Sequence, residues 1–571
     1  MDKILDRGKR LIFGSQESIL SAASVIMLML VVSQVLGVVR QIILLHFFSP
    51  AKYAIFLAAF RLPDLVFEVF AFGAFSAAFI PVFTATLKKG EKEAWDVAAK
   101  VINIGLIFFG FFAVIFGFYA DFFYKFAAPG FSDAETHQVA SLARILFISQ
   151  GIFIVSYVLT GVLESLKRFL IPALAPVMYN LGIILGTVIF TRYFGLYAPV
   201  IGVVIGAFLH LCIQLPFATK LGFRFKKDIS LTPEVKKIGK LAAPRIVELS
   251  FMQILKTNEL MLSSLVTTAS YTYLSLAYSL QAVPISLFGV ALGKAALPTL
   301  ARFNDDNENF KRTFISIFNQ LMFIVIPVGI FISVLRIPIV RMVYGISQQF
   351  DWEATIQTSL TLSAFALGIP FQAAIPLLSR SFYAKHDTKT PVVISIIDVV
   401  LTIILQLIFL LVLKLPIWSI ALANTIACII QVSALYVLLL KKTGDKIFLG
   451  LRSTLKNIFS AAVSGVVMFL VLKIFDESVW VKKLSFLSNV DIQNGLIFRN
   501  FVLDTRYTFN LVILTVFVSV LGIIIYLALS VLLKSDELYV FAKFINRFNL
   551  VAPQDEKEVI SAPPTTTDGN S

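Results

Sequence analysis

Apolar runs of 18 to 30 residues recur along this chain, and that feature alone excludes most of the architectures open to 571 residues. About 20 apolar residues in an α-helix cross the hydrocarbon core of a bilayer, whereas a membrane barrel shows alternating strands of roughly ten residues. Only 15% of the residues are charged and 58% are hydrophobic, too little polar surface to clothe a soluble globule of this size. The 21 prolines and 29 glycines are spread through apolar segments, which excludes collagen-like and low-complexity chains. The expected fold class is therefore an all-α polytopic membrane protein.

Breaks at charges and turn residues place fourteen spans near 18–46, 53–86, 97–124, 138–163, 170–191, 195–219, 238–266, 270–300, 313–335, 355–379, 390–413, 416–440, 457–475 and 509–533. The net charge of +15 would raise nucleic-acid binding in a soluble protein. Here the excess follows topology. Thirty-two Lys and Arg residues fall on the side of the N-terminus and six in the short loops opposite, so both termini are expected in the cytoplasm and nucleic acid is dropped as a partner. The first apolar run, about 28 residues long, lacks a cleavage site after a short core and is expected to remain in the protein. Cys212 and Cys428 lie inside apolar runs and read as small hydrophobes.

A faint internal repeat divides the chain. Pro81 answers Pro298, Pro172 answers Pro391, and Asn180 answers Asp398, at offsets of 217, 219 and 218. This implies two pseudo-repeated six-helix lobes, 1–225 (spans 1–6) and 226–445 (spans 7–12). Residues 446–551 add spans 13 and 14 with a long external loop at 476–508, and 552–571 read as a disordered cytoplasmic tail.

Ionisable residues within spans are costly and usually face a cavity or one another. Span 7 carries Arg245, Glu248, Lys256 and Glu259 along one helical stripe, and span 2 carries Arg61, Asp64 and Glu68 at spacings of 3 and 4. Arg40 lies in span 1 and Lys294 in span 8. Stripes on equivalent helices predict a hydrated cavity lined by spans 1, 2, 7 and 8. The cations Arg40, Arg61, Arg245, Lys256 and Lys294 are the candidate substrate ligands, Arg40 first, and the acids Asp64, Glu68, Glu248 and Glu259 are candidates for ion coupling. The plainer alternative is that these charges pair to hold the halves together. Gly289 to Lys294 departs from a phosphate-binding loop in glycine spacing and has Ala295 where a hydroxyl would bind magnesium, so no nucleotide is expected. The four histidines have no metal-like spacing, no nucleophile motif is present, and neither enzyme activity nor a cofactor is expected.

Ser33 to Arg40 (SQVLGVVR), Arg61-Leu62-Pro63-Asp64, Gly73 to Pro81 (GAFSAAFIP), Ala128 to Phe131 (APGF) and Gly289 through Pro298 resemble the MurJ/MviN family, the lipid II flippases of the multidrug/oligosaccharidyl-lipid/polysaccharide exporter superfamily. The resemblance covers about 440 residues in order. It implies a V-shaped, two-lobed fold with a cationic central cavity, alternating access, and a groove for the lipid tail on spans 13 and 14. It also implies a lipid-linked oligosaccharide substrate in a bacterial inner membrane. Arg40 matches one arginine of the span 1 motif, but Gln34, Phe67 and Ser279 stand where the family has arginines, and Gln41 replaces an acid. Two readings follow. One is a flippase for a polyprenyl-diphosphate-linked peptidoglycan precursor, or another polysaccharide-lipid, and the other a cation-coupled exporter of small amphipathic compounds, with the membrane potential as a further energy source. A non-transporting membrane scaffold stands outside both.

Overall fold

The computed structural model describes residues 19–68, 75–444, 451–476, 502–535 and 537–538. The tail 552–571 and most of the loop 476–508 lie outside the described residues. Among those described, every regular element is helical apart from one isolated bridge between Asp476 and Leu503. By length and composition, ten helices are able to cross a membrane, and an eleventh if one bent pair counts as a single span. The remaining predicted spans are broken, partly described or too charged to meet those measures.

Span 1 is α1 (Ile19–Phe47). Span 2 is broken. Ser49 caps α2 (Pro50–Ala59), whose first residue, Pro50, needs no hydrogen-bond acceptor for its nitrogen. At Phe60 the backbone N–H bonds to Leu57 only three residues back, and the chain continues as α3 (Arg61–Leu65) and α4 (Phe75–Leu87). Next come α5 (Glu91–Phe118), the short α6 (Ala120–Ala127), and α7 (Asp133–Ser165), which starts on a reciprocal Ser132–Glu135 capping box. Helices α8 (Leu170–Phe194) and α9 (Tyr197–Lys220) complete the first half.

Residues 221–232, at the boundary expected between the two lobes, are clamped to α5. Asn103 donates to the carbonyls of Lys226 and Asp228, at 2.6 and 2.9 Å, and Lys100 pairs with Asp228 at 3.3 Å. The charged helix α10 (Pro233–Val266) follows. Span 8 comprises α11 (Ser270–Pro284), a π-helical stretch Ile285–Val290, and α12 (Ala291–Arg302). Then come α13 (Asn307–Val334) and α14 (Arg336–Tyr344), a helix that hydropathy alone did not mark. Span 10 is the bent pair α15 (Trp352–Ala366) and α16 (Ile369–Ala384), kinked by 44° where Gly368 precedes a helix start carrying Pro370. The chain ends with α17 (Lys389–Leu407), α18 (Trp418–Lys442), α19 (Leu451–Phe475) and α20 (Thr508–Leu532).

In lipid, helices gain little from hydrophobic burial and associate through close packing. The α8–α9 pair shows how. A Cβ on Gly182 would stand 2.3 Å from the Gly206 Cα, and one on Gly186 would stand 2.2 Å from the Gly202 Cα. Gly186→Val is therefore expected to lower stability by about 2–3 kcal/mol, read as a lower thermal midpoint of the purified protein.

A candidate cavity with a charged lining

The helices α3, α10, α11 and α15–α18 enclose a cavity of about 550 Å³. Its charged lining is Arg61, Lys256, Glu259 and Asp398, with Gln372, Asn424 and Gln431 among its neutral polar groups. The break after α2 starts α3 at Arg61, one turn before Asp64, and the two side chains pair at 3.2 Å. Asp64 also accepts a hydrogen bond from Gln150 of α7 at 2.7 Å. On α10, Lys256 and Glu259 are three residues apart and so share a face. Arg61 and Lys256 both lie within electrostatic reach of Glu259. Glu68 is engaged by the Gln253 amide of α10 at 2.5 Å. The Arg61 Nε is buried without a hydrogen-bond partner, leaving donor capacity on the guanidinium.

The other sequence candidates are placed differently. Arg40 does not line this cavity; one of its guanidinium nitrogens donates to Asn180 of α8 at 3.0 Å, and Asn180 in turn donates to the Ser33 carbonyl at 3.3 Å. Lys294 is exposed on α12, within electrostatic reach of Glu164 at the end of α7. Glu248 is half-buried on α10 and is not part of the lining, and the side chain of Arg245 lies outside the described residues. The cavity thus draws on spans 2, 7 and 8 as predicted, whereas spans 10 to 12 take the place expected of span 1. Asp398 was missed as a site residue, though the same rule would have found it: it is an ionisable group in the middle of an uncharged apolar span. The neutral amides carry no hydropathic signal strong enough to single them out.

A family model described as "Lipid II flippase MurJ" matches residues 43–490. The chain belongs to the MurJ family. It is 29% identical over 416 residues to the probable lipid II flippase MurJ of Vibrio cholerae, covering 68% of this chain and 77% of the relative. Among solved structures it resembles a lipid II flippase MurJ in an inward closed conformation, with TM-score 0.70 and 24% identity over 90% of this chain and 99% of that one. It also resembles an inward-facing multidrug resistance MATE transporter, with TM-score 0.60 and 15% identity over 73% and 98% of the two chains.

The positions that depart from the MurJ pattern are engaged. Gln41 donates to the Ser279 Oγ at 2.8 Å and accepts from the Tyr344 hydroxyl at 2.8 Å, so two of the positions singled out in spans 1 and 8 touch each other. Gln34 donates to Ser286 at 3.0 Å, and Phe67 packs its ring near Tyr157 and Phe109. Further bonds, Thr272 to the Pro50 carbonyl at 2.6 Å and Thr268 to Glu135 at 3.1 Å, join the halves at the end away from the basic loops. A double-mutant cycle tests the pairing. Ser279→Arg alone is expected to destabilise the protein by about 2 kcal/mol, because it buries an unpaired cation, and adding Gln41→Asp is expected to restore most of that loss.

Proposed function

We propose that this chain is an alternating-access flippase that moves lipid II, a polyprenyl-diphosphate-linked peptidoglycan precursor, from the cytoplasmic to the outer leaflet of a bacterial inner membrane. The cavity carries the reading. It presents Arg61 and Lys256 from opposite halves of the chain within the membrane-spanning bundle. A diphosphate brings about two to three negative charges that cannot leave water without cationic partners. With the cavity empty, Glu259 and Asp64 offset those cations; an entering diphosphate competes with the acids for them. The head group occupies the cavity while the polyprenyl tail stays in lipid, and reclosure at the other end releases it. Membership of the MurJ family supports the substrate. Complementation of a strain depleted of its own lipid II flippase tests the function: growth and normal cell shape are expected.

The orientation rests on the loops. With both termini cytoplasmic, a cysteine at Ser230 in a background lacking Cys212 and Cys428 is expected to resist an impermeant thiol reagent in sealed cells and to react after permeabilisation. Labelling in sealed cells would invert the topology.

One observation favours the second reading, a cation-coupled exporter of small amphipathic compounds. Glu259 and Asp398 give the lining as many acids as cations, and acids in a membrane cavity are the usual sites of proton or sodium coupling. Export of an organic cation that depends on Glu259, in a chain that fails to complement the flippase strain, would select it.

A further inference from the structure

Outside the central cavity, the appended helices α19 and α20 enclose a buried polar cluster that the flippase reading does not use. Ser453, Asn457, Ser460 and Ser464 follow one another at spacings of 4, 3 and 4 and so form one stripe on α19. Both ends of the stripe are pinned to the α20 segment. Ser464 donates to the Gly522 carbonyl at 2.6 Å, and Ser453 donates to Glu537, just beyond the end of α20. Asn457 and Ser460 lie between these two pinned positions and are buried, as are Ser530 and Ser535 on the α20 side.

The middle of this stripe is unsatisfied. Asn457 and Ser460 are fully buried, yet neither polar atom of the Asn457 amide nor the Ser460 Oγ has a hydrogen-bond partner. The Ser535 Oγ and the second carboxylate oxygen of Glu537, both on nearly buried side chains, are likewise without partners. Serine hydroxyls in a helix contact commonly bond back to their own helix, as that of Ser530 does to Tyr526. A carboxamide with neither end satisfied has no such explanation, since buried polar groups are paired in nearly all native structures. No ion pair to Glu537 is found among the described residues; the nearby Lys456 ammonium is turned to the Lys534 carbonyl at 3.1 Å.

We propose that this cluster is a binding site for a small monovalent cation, held at the Glu537 end of the stripe by the Glu537 carboxylate, the Asn457 carbonyl oxygen and the Ser535 hydroxyl. The donor set is all oxygen with one negative charge, which suits a hard singly charged ion and offers nothing to a soft metal. No group of three or more His, Cys, Asp or Glu able to hold a metal occurs among the described residues. The Asn457 amide nitrogen, which cannot ligate a cation, would then donate to a serine hydroxyl. The ion neutralises Glu537 and ties the α20 end to α19, so its role is to brace the appended helix pair rather than to drive transport through the cavity.

Thermal unfolding of the full-length protein in detergent tests the site, comparing sodium, potassium or lithium chloride with choline chloride at equal ionic strength. A saturable rise in midpoint of about 3 °C or more is expected with at least one of the three ions. Glu537→Gln and Asn457→Leu should each remove that rise, and Asp398→Asn in the central cavity should keep it. The Asn457→Leu protein in choline should be at least as stable as the parent, because it replaces an orphaned amide with an apolar group. No rise with any ion, as a cluster filled by water alone would give, overturns the proposal. So does a rise that survives both cluster variants, or one that Asp398→Asn abolishes while Glu537→Gln keeps it.

Discussion

Arg61→Ala is expected to abolish transport and also to destabilise the protein by about 3 kcal/mol. The two losses have separate causes. Arg61 is the cation that α3 delivers to the cavity, and it pairs with Asp64 where the two side chains are only 13% and 25% exposed. Truncating it leaves Asp64 with the neutral Gln150 amide as its remaining direct partner, and an uncompensated carboxylate away from water is among the most costly changes a membrane protein can suffer. Arg61→Ala combined with Asp64→Asn should recover most of the stability, because the orphaned charge is gone, while transport stays lost. Thermal midpoints measured alongside complementation separate the two effects. Recovered transport in the double variant would reduce Arg61 to a structural partner of Asp64.

Lys256→Gln is expected to weaken binding strongly and to change folding little. Lys256 is half-buried and lines the cavity on a flexible stem, so a glutamine of similar length keeps the packing and removes only the charge. A charge-assisted hydrogen bond contributes about 1.5–3 kcal/mol, which corresponds to roughly a 10- to 100-fold loss of affinity for a polyprenyl-diphosphate lipid. The thermal midpoint should move little, since Glu259 keeps Arg61 as a cationic neighbour. Binding by the purified variant measures this directly, and an unchanged affinity would remove Lys256 from the site.

Much of this was legible in the residues because the bilayer imposes a strict vocabulary. Long apolar runs had to be helices, and charges inside them had to be paired or face a cavity. Arg61, Lys256 and Glu259 were found on that ground. Arg40 and Lys294 obeyed the same rule without lining the cavity: Arg40 is tied to Asn180 between α1 and α8, and Lys294 stands exposed opposite Glu164. Helical spacing says which residues share a face but not which neighbour that face meets. The break in span 2 was not read although Arg61 and Pro63 stand beside it, because the apolar run continues on both sides; the three-residue hydrogen bond at Phe60 reveals it. Asp398 shows the opposite case, a strong signal overlooked because it stood alone, without a stripe of charged neighbours. The Gln41–Ser279 contact was beyond reach, since two losses 238 residues apart look independent until the fold joins them.

If the cavity cations carry a lipid-linked diphosphate across the membrane, the leaflet distribution of lipid II reports it most directly. In cells depleted of their own flippase and expressing this chain, lipid II is expected to be accessible to an externally added, membrane-impermeant modifying enzyme. Lys256→Gln, at equal abundance in the membrane, is expected to leave lipid II inaccessible. Lipid II that stays inaccessible with the unaltered chain present in the membrane, or that is equally accessible with Lys256→Gln, would contradict it.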